Sequence, residues 1–325
     1  MTVSASQDPL PDGHGSECAT ISRTDLRDGH ADLLRIVLKV VVYIALYFAT
    51  AFVVGPLLAW VLGYIAGITT TGLLAGALAN GLCMRIYERR RIAAIGLLWD
   101  KAALVNLVLG CLGGMAAATL VLAGPLAVRA AHFARSADSE AGGVGSFAFL
   151  TVALLAGAAG EEMLFRGYGF QVLLRGLGDW STILPVGIVF AALHAVNPHA
   201  TWLGLANTAG FGILFGYAFV RSHDLWLPIG LHFGWNFTLP LFGVNVSGLT
   251  MRLTGFNLEW SAGALWSGGE YGPEASILTS AVLLLLCVYV WKAPIRRQPS
   301  ALLDRPVGDV TCVPGQPVSP SSLRR

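Results

Sequence analysis

The sequence predicts an all-α, polytopic membrane bundle of about eight transmembrane helices, on three observations. Of its 325 residues, 55% are hydrophobic and only 12% charged. Its mean hydropathy is +0.65, well above that of ordinary soluble domains. The apolar residues gather in runs near the roughly 20 residues a helix needs to cross a bilayer. The lipid bilayer is therefore the expected environment. Nucleic acid is not an expected partner, because a net charge of +2 comes with scattered rather than clustered basic residues.

Residues 1–34 read as a polar cytoplasmic tail, without the basic-then-apolar order of a cleavable signal. Eight spans follow at roughly 36–58, 62–84, 103–127, 146–174, 182–198, 201–220, 225–243 and 275–292. The second is diluted by Gly, Thr and Asn80. Stretches such as GCLGGMAAA and GFGILFGYA suit helices that pack backbone against backbone, since lipid offers them no hydrophobic driving force to associate. Residues 35–293 form the membrane-embedded domain, and 294–325, rich in Pro, Ser and Arg, read as a disordered cytoplasmic tail. Cys18, Cys83, Cys111, Cys287 and Cys312 lie too far apart for metal or redox spacing and read as packing or tail residues.

Basic residues near span ends stay on the cytoplasmic side. Arg85, Arg89, Arg90, Arg91 and Lys101 mark one loop as cytoplasmic, and counting outward puts Arg35, Arg166, Arg175, Arg221, Lys292, Arg296 and Arg297 on the same side. Both termini are then cytoplasmic. The acidic 244–274 stretch, with Glu259, Glu270 and Glu274, faces outward, and the basic exceptions are Arg129, Arg135 and Arg252. The preference for Arg over Lys and the richness in Ala, Gly and Leu point to a high-GC bacterial gene and a multi-pass protein of the cell membrane.

Ionisable groups at membrane depth cost about 2.5–3.5 kcal/mol each on insertion scales, so each needs a reason. They concentrate in spans four to seven: Glu161, Glu162, Arg166, His194 and His232, with the amide Asn236. Glu162 and Arg166, four apart on a helix, should pair. Glu161, turned ~100° away, is the freer carboxylate and the better general-base candidate. Phe190 and His194 share a face at the end of span five. If spans four and five form an antiparallel hairpin about Gly176–Asp179, Glu161 and His194 meet at matching depth. His232 and Asn236 share a face of span seven. Packing roles stay open for each: paired glutamates as ion pairs, His194 as a satisfied core residue, His232 and Asn236 as interhelical glue. His199 and His223 fall in loops.

The stretches Glu161-Glu162-x-x-x-Arg166, Phe190-x-x-x-His194 and His232-x-x-x-Asn236, within a motif core at 146–240, together resemble the three motifs of the CPBP family, the type II CAAX prenyl endopeptidase-like proteins. The resemblance implies an eight-helix CAAX-type intramembrane protease acting on a membrane-associated, sometimes lipid-modified, peptide or protein substrate. Glu161 and His194 would activate water and His232 and Asn236 would stabilise the oxyanion, with Glu162, Arg166 and Phe190 supporting. Family members are often named metalloproteases. One carboxylate and two histidines could hold zinc, but no His-Glu-x-x-His helix is present and Asn is an unusual ligand. A metal-free glutamate and histidine mechanism is the favoured expectation, with the metal left open. Two other readings use the same residues: a non-catalytic membrane scaffold such as a bacteriocin self-immunity protein, and a proton-coupled transporter.

Overall fold

The computed structural model describes residues 23–135, 143–251 and 253–304. The expectations for residues 1–22 and 305–325, for Cys18 and Cys312, and for Arg252 fall outside these. The described helices are α1 (Arg23–Leu62), α2 (Tyr64–Cys83), α3 (Lys101–Ala127), α4 (Val144–Arg166), α5 (Tyr168–Leu177), α6 (Asp179–His194), α7 (Trp202–Ser222), α8 (Trp226–Leu241), the short α9 (Ala264–Ser267) and α10 (Ile277–Lys292).

The bundle is predominantly helical, and each expected span falls on a helix. By length and composition five segments can cross a membrane: Asp32–Leu62, Tyr64–Glu88, Lys101–Ala127, Val144–Leu177 and Trp202–Ser222. Helices α6, α8 and α10, at 16 residues each, are shorter than the roughly 20 residues of a full crossing. The sequence did not anticipate β1 (Ala131–Arg135) and β2 (Phe256–Trp260), which pair antiparallel with Ala131 opposite Trp260. They tie the α3–α4 connection to the α8–α10 connection.

The fourth span, expected as one helix, is two. Gly167 ends α4 at ψ −147°, and there the amide of Tyr168 leaves the helical ladder to donate to Asn80 Oδ1 at 2.7 Å. The carbonyl of Leu164 accepts from the Tyr43 hydroxyl instead, at 3.0 Å. A broken ladder in lipid survives only if both freed groups find partners, and Asn80 and Tyr43 supply them. A Cβ at 167 would lie 2.2 Å from Asn80 Oδ1, so only glycine fits. Helix α5 then packs against α1. The expected hairpin of spans four and five is corrected accordingly: α6 packs along α7, and α4 lies against α2 and α8.

Helix α8 is central, and its seat on α3 is made by glycine on both sides. Cβ atoms added at Gly110 and Gly114 would lie 2.4 and 2.2 Å from the carbonyls of Leu227 and Leu231, and at Gly230 and Gly234 2.5 and 2.4 Å from those of Leu107 and Cys111. The backbones touch along a full turn, the close packing that small residues permit in lipid.

The start of α8 is fixed by Asp224. Its Oδ1 accepts from the amide of Leu227 at 3.1 Å, and its Oδ2 from Asn106 Nδ2 at 2.6 Å and Gln298 Nε2 at 3.2 Å. Burial pushes the pKa of this carboxyl up to about 6, against the pull of those donors. Residues 294–304, expected within the tail, are seated here: Gln298 donates from its backbone to Ser222 O at 2.8 Å, Arg297 lies 2.8 Å from His223 Nε2, and Leu302 is buried.

Candidate active site

Adjacent residues on a helix point ~100° apart, and the two glutamates of α4 accordingly serve different surroundings. Glu162 turns inward and is fully buried with Arg166, one turn on, whose Nη1 lies 3.2 Å from Glu162 Oε2. Arg166 Nη2 donates to Gly212 O at 2.5 Å, and the guanidinium sits 5.2–5.6 Å from the ring centres of Phe165, Phe190 and Phe215. A cation enclosed by rings and bonded to a carboxylate and a carbonyl recovers part of the hydration it loses.

Glu162 also holds α8: its Oε1 lies 2.9 Å from His232 Nδ1. An ionised carboxylate only accepts, so Nδ1 carries the proton and Nε2 is turned to the opposite side. The imidazole stacks on Phe215 at 5.1 Å. On α6, His194 Nδ1 lies 2.8 Å from Phe190 O, which fixes the same tautomer, and its ring rests 4.6 Å from that of Phe190.

Both histidines thereby aim Nε2 at one atom. Glu161 Oε2 is 3.9 Å from His194 Nε2 and 3.9 Å from His232 Nε2. It is buried and has no hydrogen-bond partner among the described residues, although the Glu161 side chain as a whole is 40% exposed. These separations are too long for direct hydrogen bonds. They also exceed the about 3.4 Å edge of a zinc tetrahedron with ligands near 2.1 Å. Two hydrogen bonds of about 2.8 Å meeting near a right angle at one water span them. The donor types suit zinc, the spacing does not, and among the described residues no His, Cys, Asp or Glu cluster has metal-holding geometry.

These groups line a cavity of about 320 Å³ together with Asn236, half-buried one turn beyond His232 on the same face of α8. Thus Glu161, His194, His232 and Asn236 converge on one space, while Glu162, Arg166 and Phe190 stand behind them. The remaining walls are mostly apolar, and three apolar wall residues, Phe48, Ile68 and Leu193, are also exposed. These three give the hollow an exposed apolar edge.

Two lining residues were not legible in the sequence. Tyr47 comes from α1, far from the motifs. Glu274 lies in the loop expected merely to be acidic and outward, yet is only 7% exposed. Its Oε1 accepts from Trp235 Nε1 at 3.3 Å, and its Oε2 from the hydroxyl of Ser247 at 2.9 Å and from the amide of Ser247. Burial raises its pKa, against these donors and nearby His194. Its place before the last span beside Pro273 carries no periodicity that would mark it.

Residues 143–238 match the family model described as Type II CAAX prenyl endopeptidase Rce1-like, a family of membrane proteases. All three motif stretches lie inside the match. No curated protein and no solved structure matches the chain.

Proposed function

From a protease-family match over the stretch that carries Glu161, His194, His232 and Asn236, we propose that this chain hydrolyses a peptide bond of a membrane-associated peptide with a water activated by Glu161 and His194. The observation that carries the reading is the orphaned Glu161 Oε2, equidistant at 3.9 Å from two imidazole Nε2 atoms. A water bridging Glu161 and His194 gives up its proton to this pair as its oxygen attacks the carbonyl carbon.

The two imidazoles differ in what backs them. His194 Nδ1 faces a neutral carbonyl, so its Nε2 accepts from the water. His232 Nδ1 faces the Glu162 carboxylate, which supports a second proton on the ring and a donating Nε2–H. That donor and the Asn236 amide stabilise the oxyanion, and the apolar walls keep competing water out. The proton taken by Glu161 passes to the departing amine. The 3.9 Å between Glu161 and each imidazole is wider than a tetrahedral zinc edge, so activation of the water is assigned to Glu161 and His194 themselves.

The test is cleavage of a lipidated, internally quenched peptide library by enzyme purified in detergent. Glu161→Gln and His194→Ala should each lower turnover by about 10²–10⁴, and Asn236→Ala by about 10²–10³, with folding retained. Undiminished cleavage by the Glu161 variant overturns the mechanism.

A further inference from the structure

We infer that the cavity is served from the face opposite the arginine-rich loops, by an amphiphilic peptide anchored in that half of the bilayer and therefore exported rather than cytoplasmic. The inference rests on the hydrolytic reading for its chemistry, but its geometry is independent of it.

The loops gather at two distinct ends. At one, the loop carrying Arg85, Arg89, Arg90 and Arg91 meets the α7–α8 corner, where Leu225 N donates to Gly96 O at 2.9 Å and Trp226 Nε1 to Leu98 O at 3.0 Å. Arg221 donates to the carbonyls of Val290 and Trp291 there, and the seated residues 294–304 add Arg296 and Arg297. At the other end, Asn197 Nδ2 donates to Ser247 O at 3.2 Å, His199 pairs with Glu270 at 2.9 Å, and β1 pairs with β2. Among the described residues, the arginines and lysines in the loops of this second end are Arg129 and Arg135, so the first end is the cytoplasmic one.

The cavity belongs to the second end. His194 is the last residue of α6, and the cavity's roof is Asn197, Ser247, Leu249, Met251 and Glu274, all from second-end loops. Glu274 staples that roof to α8 through Trp235 and Ser247. Toward the arginine end the way is filled. Beyond His232 lie Leu231, Ile229 and Leu227, each no more than 2% exposed, and beyond Phe215 lies Phe219, fully buried against Phe170 at 5.8 Å. Beside the half-buried roof, the exposed apolar edge at Phe48, Ile68 and Leu193 offers a lateral mouth. A ligand using it keeps its apolar part in lipid and brings a polar peptide group under the roof.

Two measurements test this. In a background with all five cysteines replaced by alanine, Leu249→Cys and Arg90→Cys are exposed to a membrane-impermeant maleimide on intact cells. Leu249→Cys should label and Arg90→Cys should label only after permeabilisation; the reverse pattern overturns the inference. In the second, a palmitoylated quenched peptide is added to right-side-out or inside-out membrane vesicles. Cleavage should be at least tenfold faster in the right-side-out preparation, and equal or opposite rates overturn the sidedness. If detergent-solubilised enzyme cleaves nothing, the hydrolytic reading fails, while the labelling result still decides the sidedness.

Discussion

Removing Glu162 should separate the cost of a stranded charge from the cost of a misheld imidazole. Glu162→Gln takes from Arg166, at 0% exposure, the carboxylate it pairs with, leaving neutral acceptors, three aromatic rings and the more distant Glu161 around it. Breaking a buried pair from one side costs about 3–5 kcal/mol, which for a chain of this size lowers the melting midpoint by on the order of 10 °C. Replacing both partners by apolar groups, Glu162→Leu with Arg166→Met, removes the stranded charge and should restore the midpoint to within a few degrees. The double variant should nevertheless hydrolyse peptide about 10²–10³ more slowly, because His232 Nδ1 has lost the carboxylate 2.9 Å away. Melting in detergent and quenched-peptide turnover read the two effects separately. A double variant as unstable as the single one refutes the stranded-charge argument; a fully active double variant refutes the dependence of His232 on Glu162.

Three further outcomes follow from other parts of the molecule. Asn80→Leu should destabilise by about 1–3 kcal/mol, because it strands the Tyr168 amide at the α4–α5 break; an unchanged melting midpoint would show that another group fills the gap. Asp224, raised from 3.8 to about 6, favours the fold while protonated, and that contribution is complete below about pH 4 and lost as pH rises through 6. Each pH unit between those two values is worth ~1.36 kcal/mol, so Asp224→Asn should gain about 3 kcal/mol relative to the parent between pH 4 and pH 7, and parallel stability curves would contradict this. Chelation by 1,10-phenanthroline should leave hydrolysis intact, given the 3.9 Å separations, whereas inhibition reversed by added zinc would restore the metal reading.

The sequence was most readable where lipid makes residues expensive. Charge inside apolar runs is rare enough that Glu161, Glu162, Arg166, His194 and His232 could be picked out individually, and spacing alone separated the paired glutamate from the freer one. The route by which Glu161 reaches His194 was misread, because the α4–α5 break depends on Asn80, 88 residues before Tyr168, and on Tyr43, 121 residues before Leu164. An interruption satisfied by distant side chains leaves no local periodic signal. Glu274 was missed for a related reason: an acidic residue in a loop reads as solvated until tertiary contacts bury it. The β1–β2 pairing joins segments more than 120 residues apart and is likewise invisible to local pattern.

The seam between α3 and α8 bears on how this fold can vary. With no side chains between the two backbones, sliding α8 by one residue would drive Leu231 and Trp235, or Ile229 and Phe233, into carbonyls that now face Gly230 and Gly234 at a 2.4–2.5 Å Cβ distance. The register of His232 is thus set by a steric comb, independent of any polar partner. Substrate preference can drift through the lipid-facing walls and the roof loops while the comb stays untouched, so adaptation and alignment of the reacting groups are carried by different helices.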